Sequence, residues 1–269
     1  KIAAPLELTD TVMTYLNAEI AEFLFGEVGR TLEQHFAAEF KGELKNAIRT
    51  NLINFDTMTA AGDCQTSQAF TIFAKIFSDG EMPAAKRRLL EIIHRDKDIN
   101  ACGMVGLRCV FRVLCDMGEG DLAYKMIVND GYSGYASWIK AGATALCEQF
   151  FYFDGRATGS QNHHFLGDIL ALFIEKFAGL NPNPCYNDKN YLSVTPNFIS
   201  ALNYAKASFE FDSGKSYVLW ERAGDKINLK ITVPVGVKAE LILPHGYALI
   251  GKQTAKLSAG ENEFTVVKI

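Results

Sequence analysis

SFEFDSGKSYVLW (residues 208–220) and INLKITV (residues 227–233) are the two stretches that decide the fold. In the second, apolar residues alternate with Asn, Lys and Thr, which is typical of a strand with one buried face. In the first, the turn sequence DSG at residues 212–214 separates two runs of strand-forming residues, which predicts a β-hairpin. The same alternation returns at residues 239–243 and 264–269. The carboxy-terminal part is therefore predicted to be a small antiparallel β-sandwich.

The residues before this region follow a helical period instead. The spacing of apolar residues predicts about eight helices joined by short loops. These cover residues 9–24, 32–48, 69–76, 83–93, 105–117, 122–128, 135–151 and 162–177. The first is expected to begin at a cap formed by Thr9 and Asp10. Helices first and strands afterwards imply a fold that is mainly α followed by all-β, with a helical part at residues 1–185 and a β-sandwich domain at residues 186–269.

Composition excludes several classes of protein. The 269 residues are 48% hydrophobic, which allows a large core, and the formal charges of 27 basic and 31 acidic residues leave a net charge of -4. The sequence has no basic block for a nucleic-acid backbone and no apolar run of the roughly 20 residues that a membrane span needs. No signal peptide is visible after Lys1, so either a leader has been removed or the chain is a piece of something longer, and the compartment stays open.

The cysteines and the short motifs give no sign of a metal or cofactor. Six cysteines are scattered without C-x-x-C spacing, which favours buried free thiols over a disulfide set or a zinc site. The HExxH, EF-hand, P-loop and GxSxG patterns are all missing from the sequence. We therefore predict neither a metal site nor a cofactor.

Glu148 is the candidate catalytic carboxylate. It lies in AGATALCEQFFYF, residues 141–153, where every other residue is uncharged. A carboxylate among apolar neighbours is paired, has a raised pKa, or faces a polar cavity. A raised pKa would suit a general base, whereas the simpler alternative is a glutamate on the wet side of an ordinary helix.

Two further groups are candidates for substrate binding. Asn162 and His163 belong to the run SQNHH at residues 160–164, although Asn162 or Ser160 could simply cap the next helix and His163 could be structural. Trp138 precedes Glu148 by ten residues and offers an aromatic face for a sugar, but a tryptophan in a helix is usually part of the core.

These residues carry a resemblance to a known family. Ser137-Trp138, Gly142-Ala143-Thr144 with Glu148, and Ser160-x-Asn162-His163 resemble the series SW, GATTxWExW and SLNH of the bacterial α-L-rhamnosidases, glycoside hydrolase family 78. Further landmarks agree in order along the chain, among them Ser67-Gln68-Ala69, Cys102 to Gly106, Ala178-Gly179-Leu180, Thr195-Pro196 and Val233-Pro234.

The resemblance implies an (α/α)₆ barrel, present here in part, followed by an antiparallel β-sandwich. It also implies hydrolysis of terminal α-L-rhamnosides with inversion, so that the partner is a rhamnose-containing carbohydrate. Glu148 falls on the family's general base, and His163 on a histidine of the substrate pocket; we place Asn162 and Trp138 with it as substrate-binding residues. The motif departs at Ala145, Cys147 and Phe150, which leaves the substrate open.

An inverting glycosidase also needs a general acid across the scissile bond from the base. In the family this acid lies upstream of the segment resembled here, so we expect it in an amino-terminal remainder of the same enzyme. Asp63, Asp154 and Asp168 are other acids, and nothing in their spacing favours one of them. Two alternatives stay open: a non-catalytic carbohydrate-binding or structural fragment, and an α-barrel glycosidase for a different sugar.

Overall fold

The computed structural model describes residues 4–131, 133–150, 159–182, 189–251 and 257–269, together with the backbone of two short strands within 151–158. Its α-helices lie in the first two thirds of the chain, in the order the sequence predicts. They are α1 (Leu6–Glu27), α2 (Thr31–Leu52), α3 (Gln65–Phe73), α4 (Met82–Arg95), α5 (Met104–Asp116), α6 (Gly120–Ile127), α7 (Tyr135–Lys140) and α8 (Ile169–Leu172).

The first helix begins earlier than its sequence suggests. Pro5 occupies the N-cap position of α1, so the predicted cap at Thr9 and Asp10 is wrong. The Thr9 hydroxyl instead donates backwards to the carbonyls of Pro5 and Leu6, at 3.3 and 3.1 Å. Inside a helix a threonine hydroxyl can bond to the carbonyl three or four residues earlier, so the presence of Thr9 did not mark the helix start.

The predicted helix at residues 135–151 is also wrong beyond its second turn. Helix α7 ends at Lys140, and Gly142 follows with a φ of +81°, a left-handed conformation that closes many helices. The amides of Gly142 and Ala143 bond back to the carbonyls of Ile139 and Trp138. Residues 143–150 therefore form a loop, and Phe151, the predicted end, lies outside the described residues.

The helix predicted for residues 162–177 is broken into pieces. A short 3₁₀ turn (His164–Leu166) precedes α8, and a π-helical turn (Phe173–Ala178) follows it. Gly179, with a φ of +88°, ends the segment as its sequence predicts. An alanine Cβ at this position would meet the backbone nitrogen of Pro196 at 2.3 Å, so Gly179 also allows the two segments to pack closely.

The strands form two hairpins and two larger sheets. They are β1 (Ile53–Asn54), β2 (Thr59–Ala60), β3 (Tyr152–Phe153), β4 (Arg156–Ala157), β5 (Leu180–Pro182), β6 (Tyr191–Val194), β7 (Tyr204–Phe211), β8 (Gly214–Ala223), β9 (Lys226–Val233), β10 (Lys238–Leu241), β11 (Tyr247–Leu249) and β12 (Gly260–Lys268). The five-stranded sheet has the order β11-β12-β9-β8-β7 and is antiparallel throughout. The three-stranded sheet has the order β10-β6-β5, and its β6–β10 pair is parallel, which corrects the expectation of purely antiparallel pairing.

The two sheets share one hydrophobic core. Strand β9 alternates buried and exposed residues as predicted, and the hairpin of β7 and β8 turns at the predicted DSG sequence. Trp220 is fully buried at the centre, where its Nε1–H donates to the carbonyl of Phe177 at 2.8 Å and its ring meets Phe198 edge-on. Buried aromatic groups of this kind contribute strongly to a core because they bury much apolar area and satisfy their polar atom.

The chain divides into two compact units. The first comprises residues 1–113 and 126–161, and the second comprises residues 114–125 and 162–269. The boundary predicted at residues 185 and 186 falls within 183–188, outside the described residues, and stays a prediction. None of the helices described here combines the length and apolar character that a membrane crossing requires.

In the first unit, buried amide groups connect the loops that precede three helices. Gln65, at the start of α3, is fully buried; it donates to Asp96 and to the carbonyl of Ile99, each at 2.9 Å. Asn100, in the loop between α4 and α5, donates to the carbonyl of Ser133, just before α7. Buried polar groups satisfied in this way fix a loop rather than loosen it. The amino-terminal ends of α3, α5 and α7 are therefore linked to one another.

Candidate active site

Glu148 lies in the loop that follows α7, and its side chain is exposed to solvent. The expectation of a carboxylate buried among apolar residues is therefore wrong, as is the alternative of a glutamate on an ordinary helix. The apolar residues of this loop flank Glu148, and one of them, Cys147, is almost completely buried at 1% exposure. The chain thus buries the residue before Glu148 and turns the carboxylate outward.

The backbone of a second segment holds this carboxylate in place. The amide of Ser160 donates to Oε2 of Glu148 at 3.0 Å, and the amide of Glu148 donates to the carbonyl of Ser160 at 2.9 Å. The pairing of β3 with β4 closes the intervening chain and brings the two residues together. Gly159 adopts a φ of +78°, and an added Cβ there would lie 2.8 Å from the same Oε2. The carboxylate is thus bonded to the Ser160 amide and occupies space that a side chain at residue 159 would need.

Trp138 anchors the loop from inside the unit. It is 3% exposed, and its Nε1–H donates to the carbonyl of Gln149 at 3.0 Å. Its ring stacks on Phe150, with centroids 4.8 Å apart, while Tyr135 meets both rings edge-on. Trp138 therefore occupies a core position and is bonded to the residue that follows Glu148, and its sugar-binding role stays a prediction.

His163 and Asn162 belong to the second compact unit. His163 has extended backbone and occupies the N-cap position of the 3₁₀ turn; no side-chain hydrogen bond caps this turn. Its ring meets Phe165 edge-on at 4.3 Å, and its Nε2 atom is buried. Asn162 is exposed. Trp138 and Glu148 are thus linked within the first unit through Gln149, whereas Asn162 and His163 form a neighbouring pair in the second.

Asp63 is unsuited to the role of general acid. Its carboxylate accepts hydrogen bonds from Arg95 at 2.6 Å and from Arg88 at 2.8 Å. Partial burial acts to raise the pKa of Asp63, but the hydrogen bonds from Arg95 and Arg88 outweigh it and lower the pKa overall. A proton donor in a glycosidase needs the opposite shift. Asp154 lies outside the described residues, and Asp168 is half-buried just before α8.

Sequence reasoning missed the contribution of Gly159 and of the Ser160 backbone. A glycine in a loop is an ordinary turn signal. Only the tertiary structure shows that a side chain at residue 159 would meet the carboxylate of Glu148. The cysteines that the structure describes are free thiols, four of them buried and Cys64 half-buried; Cys185 lies outside the described residues. Within the described part of the chain, no three His, Cys, Asp or Glu residues are grouped so that they could hold a metal ion.

Comparison with known proteins places these observations in a family. Residues 4–177 match the model of the bacterial α-L-rhamnosidase six-hairpin glycosidase domain, and residues 190–258 match that of the bacterial α-L-rhamnosidase C-terminal domain. An α-L-rhamnosidase of Alteromonas sp. (strain LOR) is 25% identical over 253 residues, which are 88% of this chain and 26% of that protein. One from Formosa agariphila is 27% identical over 186 residues, covering 67% of this chain and 20% of that protein. The chain thus spans about a quarter or less of the length of these relatives.

Solved structures agree on the fold. The α-L-rhamnosidase from Dictyoglumus thermophilum superposes with a TM-score of 0.81 at 21% identity, over 94% of this chain and 31% of that one. The Streptomyces avermitilis α-L-rhamnosidase complexed with L-rhamnose gives a TM-score of 0.80 at 20% identity, over 96% and 26%. These matches confirm the predicted fold class, a partial (α/α)₆ barrel followed by a β-sandwich domain. The chain belongs to the bacterial α-L-rhamnosidase family.

Proposed function

We propose that this chain carries the general-base part of an inverting α-L-rhamnosidase active site, with Glu148 as the base. The observation that carries the proposal is the setting of Glu148 in a chain of this family: the side chain is open to water, and its Oε2 is fixed by the Ser160 amide. A base that activates water must be reachable by water and held in one direction. Both requirements are met at Glu148.

In the proposed reaction, Glu148 accepts a proton from a water molecule as the water oxygen bonds to the anomeric carbon. The bond from that carbon to the leaving oxygen breaks at the same time, and a general acid on the opposite face protonates the leaving oxygen. Inverting enzymes hold the two carboxyl groups roughly 6.5–9.5 Å apart to leave room for this water. The attack from the opposite face inverts the configuration at the anomeric carbon.

The proposed substrate is a terminal α-L-rhamnoside, as the names of the relatives suggest and as the L-rhamnose complex of the Streptomyces avermitilis enzyme supports. Asn162 and His163 are proposed to contact the sugar, because an exposed amide and an imidazole both bond readily to hydroxyl groups. Trp138 is buried, and we propose that it acts on the substrate through the loop that it supports.

We further propose that the general acid comes from polypeptide outside this chain, and that the chain functions joined to it. The relatives are about four times as long, and a six-hairpin domain requires about twelve helices where the described residues contain eight. Helix α1 supports this proposal. It presents exposed apolar side chains at heptad-like spacing, namely Leu6, Met13, Ile20 and Leu24. Such a stripe suits packing against a further helix of the same barrel. The assembly of this chain with the remainder is called the complete enzyme below.

Glu148→Gln in the complete enzyme tests the proposal. Hydrolysis of an aryl α-L-rhamnoside should fall by about 10²- to 10⁴-fold, the usual value of general-base catalysis. Glu43→Gln, at an exposed position on α2, is the matched control and should keep normal turnover. Azide should restore turnover to Glu148→Ala by replacing the activated water, and NMR of the wild-type reaction should show β-L-rhamnose first. Normal turnover by Glu148→Gln would remove this residue from the mechanism.

The substitutions at Ala145, Cys147 and Phe150 favour a second candidate, a carbohydrate-binding module that lacks catalysis. Calorimetric titration of the complete enzyme with L-rhamnose distinguishes the two candidates, since binding without hydrolysis of any aryl rhamnoside supports the module. A panel of aryl glycosides tests the remaining alternative, a glycosidase of the same fold for a different sugar.

A further inference from the structure

We propose that Gly159 is a positioning residue for the carboxylate of Glu148, acting together with the backbone amide of Ser160. This inference rests on the proposed role of Glu148 as the base. Ser160 uses both of its backbone groups on Glu148: its amide donates to Oε2 at 3.0 Å, and its carbonyl accepts from the Glu148 amide at 2.9 Å. Gly159 immediately precedes Ser160, and a Cβ added to it would meet the same oxygen.

Two separate features of position 159 require glycine. The φ of +78° is a conformation that other residues adopt at a cost. A Cβ added there would also lie 2.8 Å from Oε2 and 3.4 Å from Cδ of Glu148. Both atoms are at the far end of a flexible, exposed side chain. An alanine would therefore be accommodated by movement of the carboxylate rather than of the backbone.

Such a movement matters for catalysis more than for stability. A carboxylate offers about four lone-pair sites, so the amide of Ser160 can orient it without occupying all of them. A displacement of about 1 Å in a reacting group costs on the order of 10²-fold in rate. The absence of a side chain at residue 159 thus sets where the base sits relative to the attacking water.

The test compares Gly159→Ala with Gly29→Ala in the complete enzyme. Gly29, between α1 and α2, has a φ of +72° and nothing within 4 Å of an added Cβ, so its variant carries the same backbone strain without the carboxylate contact. Both variants should lose similar thermal stability. Gly159→Ala should lower kcat by about 10- to 100-fold with little change in KM, whereas Gly29→Ala should stay within about two-fold. Equal kcat values for the two variants would overturn the inference.

A double-mutant cycle with Glu148→Asp adds a readout that a merely structural role would not move. The shorter side chain withdraws the carboxylate from residue 159, so Gly159→Ala should cost much less in the Glu148→Asp background, while Gly29→Ala should act additively. Additive effects of Gly159→Ala and Glu148→Asp on kcat would contradict the proposal.

The results separate this inference from the proposed function. A large loss in Glu148→Gln together with equal behaviour of the two alanine variants would overturn the positioning role alone, whereas normal turnover in Glu148→Gln would overturn both. If Gly159→Ala does not fold, an ester in place of the Ser160 peptide N–H removes the same hydrogen bond without adding a side-chain atom. The same loss of kcat is expected, and an unchanged kcat would count against the inference.

Discussion

Replacement of Trp138 by phenylalanine should weaken both the first compact unit and the proposed reaction. The change removes the Nε1–H that bonds to the carbonyl of Gln149 at 3.0 Å, a neutral hydrogen bond with a net value of about 1 kcal/mol. It also reduces the stack with Phe150, in which aromatic pairs contribute about 0.5–1.5 kcal/mol. The free energy of unfolding should therefore fall by about 2 kcal/mol.

Trp220→Phe is a matched control for this change. Trp220 is also buried, donates its indole N–H to a carbonyl at 2.8 Å, and contacts one further aromatic ring, but it lies in the second compact unit. The chain has two tryptophans, so each variant keeps one fluorescent reporter for urea unfolding. The two stability losses should be similar.

The effect on turnover should differ between the two variants. Gln149 is adjacent to Glu148, so loss of its carbonyl anchor loosens the loop that carries the proposed base. Trp138→Phe should lower kcat of the complete enzyme by about ten-fold at a temperature well below its unfolding transition, and Trp220→Phe by less than about two-fold. Equal kcat values for the two variants would refute the view that Trp138 acts through the loop.

Three other substitutions test individual contacts. Hydrogen bonding by Arg49 holds the pKa of Glu81 at about 2, below its ordinary 4.5. Stability that is present above pH 4.5 should therefore be lost as the pH falls toward 2. The stability of Glu81→Gln, measured over the same pH range, should depend less on pH and should be lower at pH 7. Gln68→Leu should cost about 3 kcal/mol in urea unfolding, because the buried Gln68 amide satisfies one backbone N–H and two carbonyls. Asp63→Asn should keep kcat within about three-fold, because the lowered pKa of Asp63 opposes proton donation. Asparagine also tolerates the φ of +44° at position 63, so the backbone should not change. A loss of about 10²-fold would instead make Asp63 a candidate acid.

The parts of the fold with strong local patterns were predictable from the sequence. The hairpin at Gly214 and the alternation in β9 follow from side-chain periodicity and turn chemistry, and both are as expected. The end of α7 was not predictable in this way, because the apolar run after Gly142 is compatible with a helix. What prevents the helix is a backbone hydrogen bond to a residue distant in the sequence. The pairing of Glu148 with Ser160 supplies that hydrogen bond across twelve positions of sequence.

The candidate site shows the same limit. The motif resemblance identified Glu148, whose role as the base stays a prediction, yet the environment expected from composition was wrong. The residue types around Glu148 show only what lies near it in the sequence. Its exposure depends on which face of the loop the rest of the protein covers. Here Cys147 faces the interior and Glu148 faces the solvent, a difference of one position that no count of apolar residues reveals.

The carbonyl of Phe177, which accepts the indole N–H of Trp220, bears on how proteins of this family could exchange segments during evolution. Recombination that moved only the strands into another protein would leave the buried indole N–H of Trp220 without its hydrogen-bond acceptor. A segment that moves to another protein and keeps this hydrogen bond must therefore include the end of the last helical segment as well as the strands.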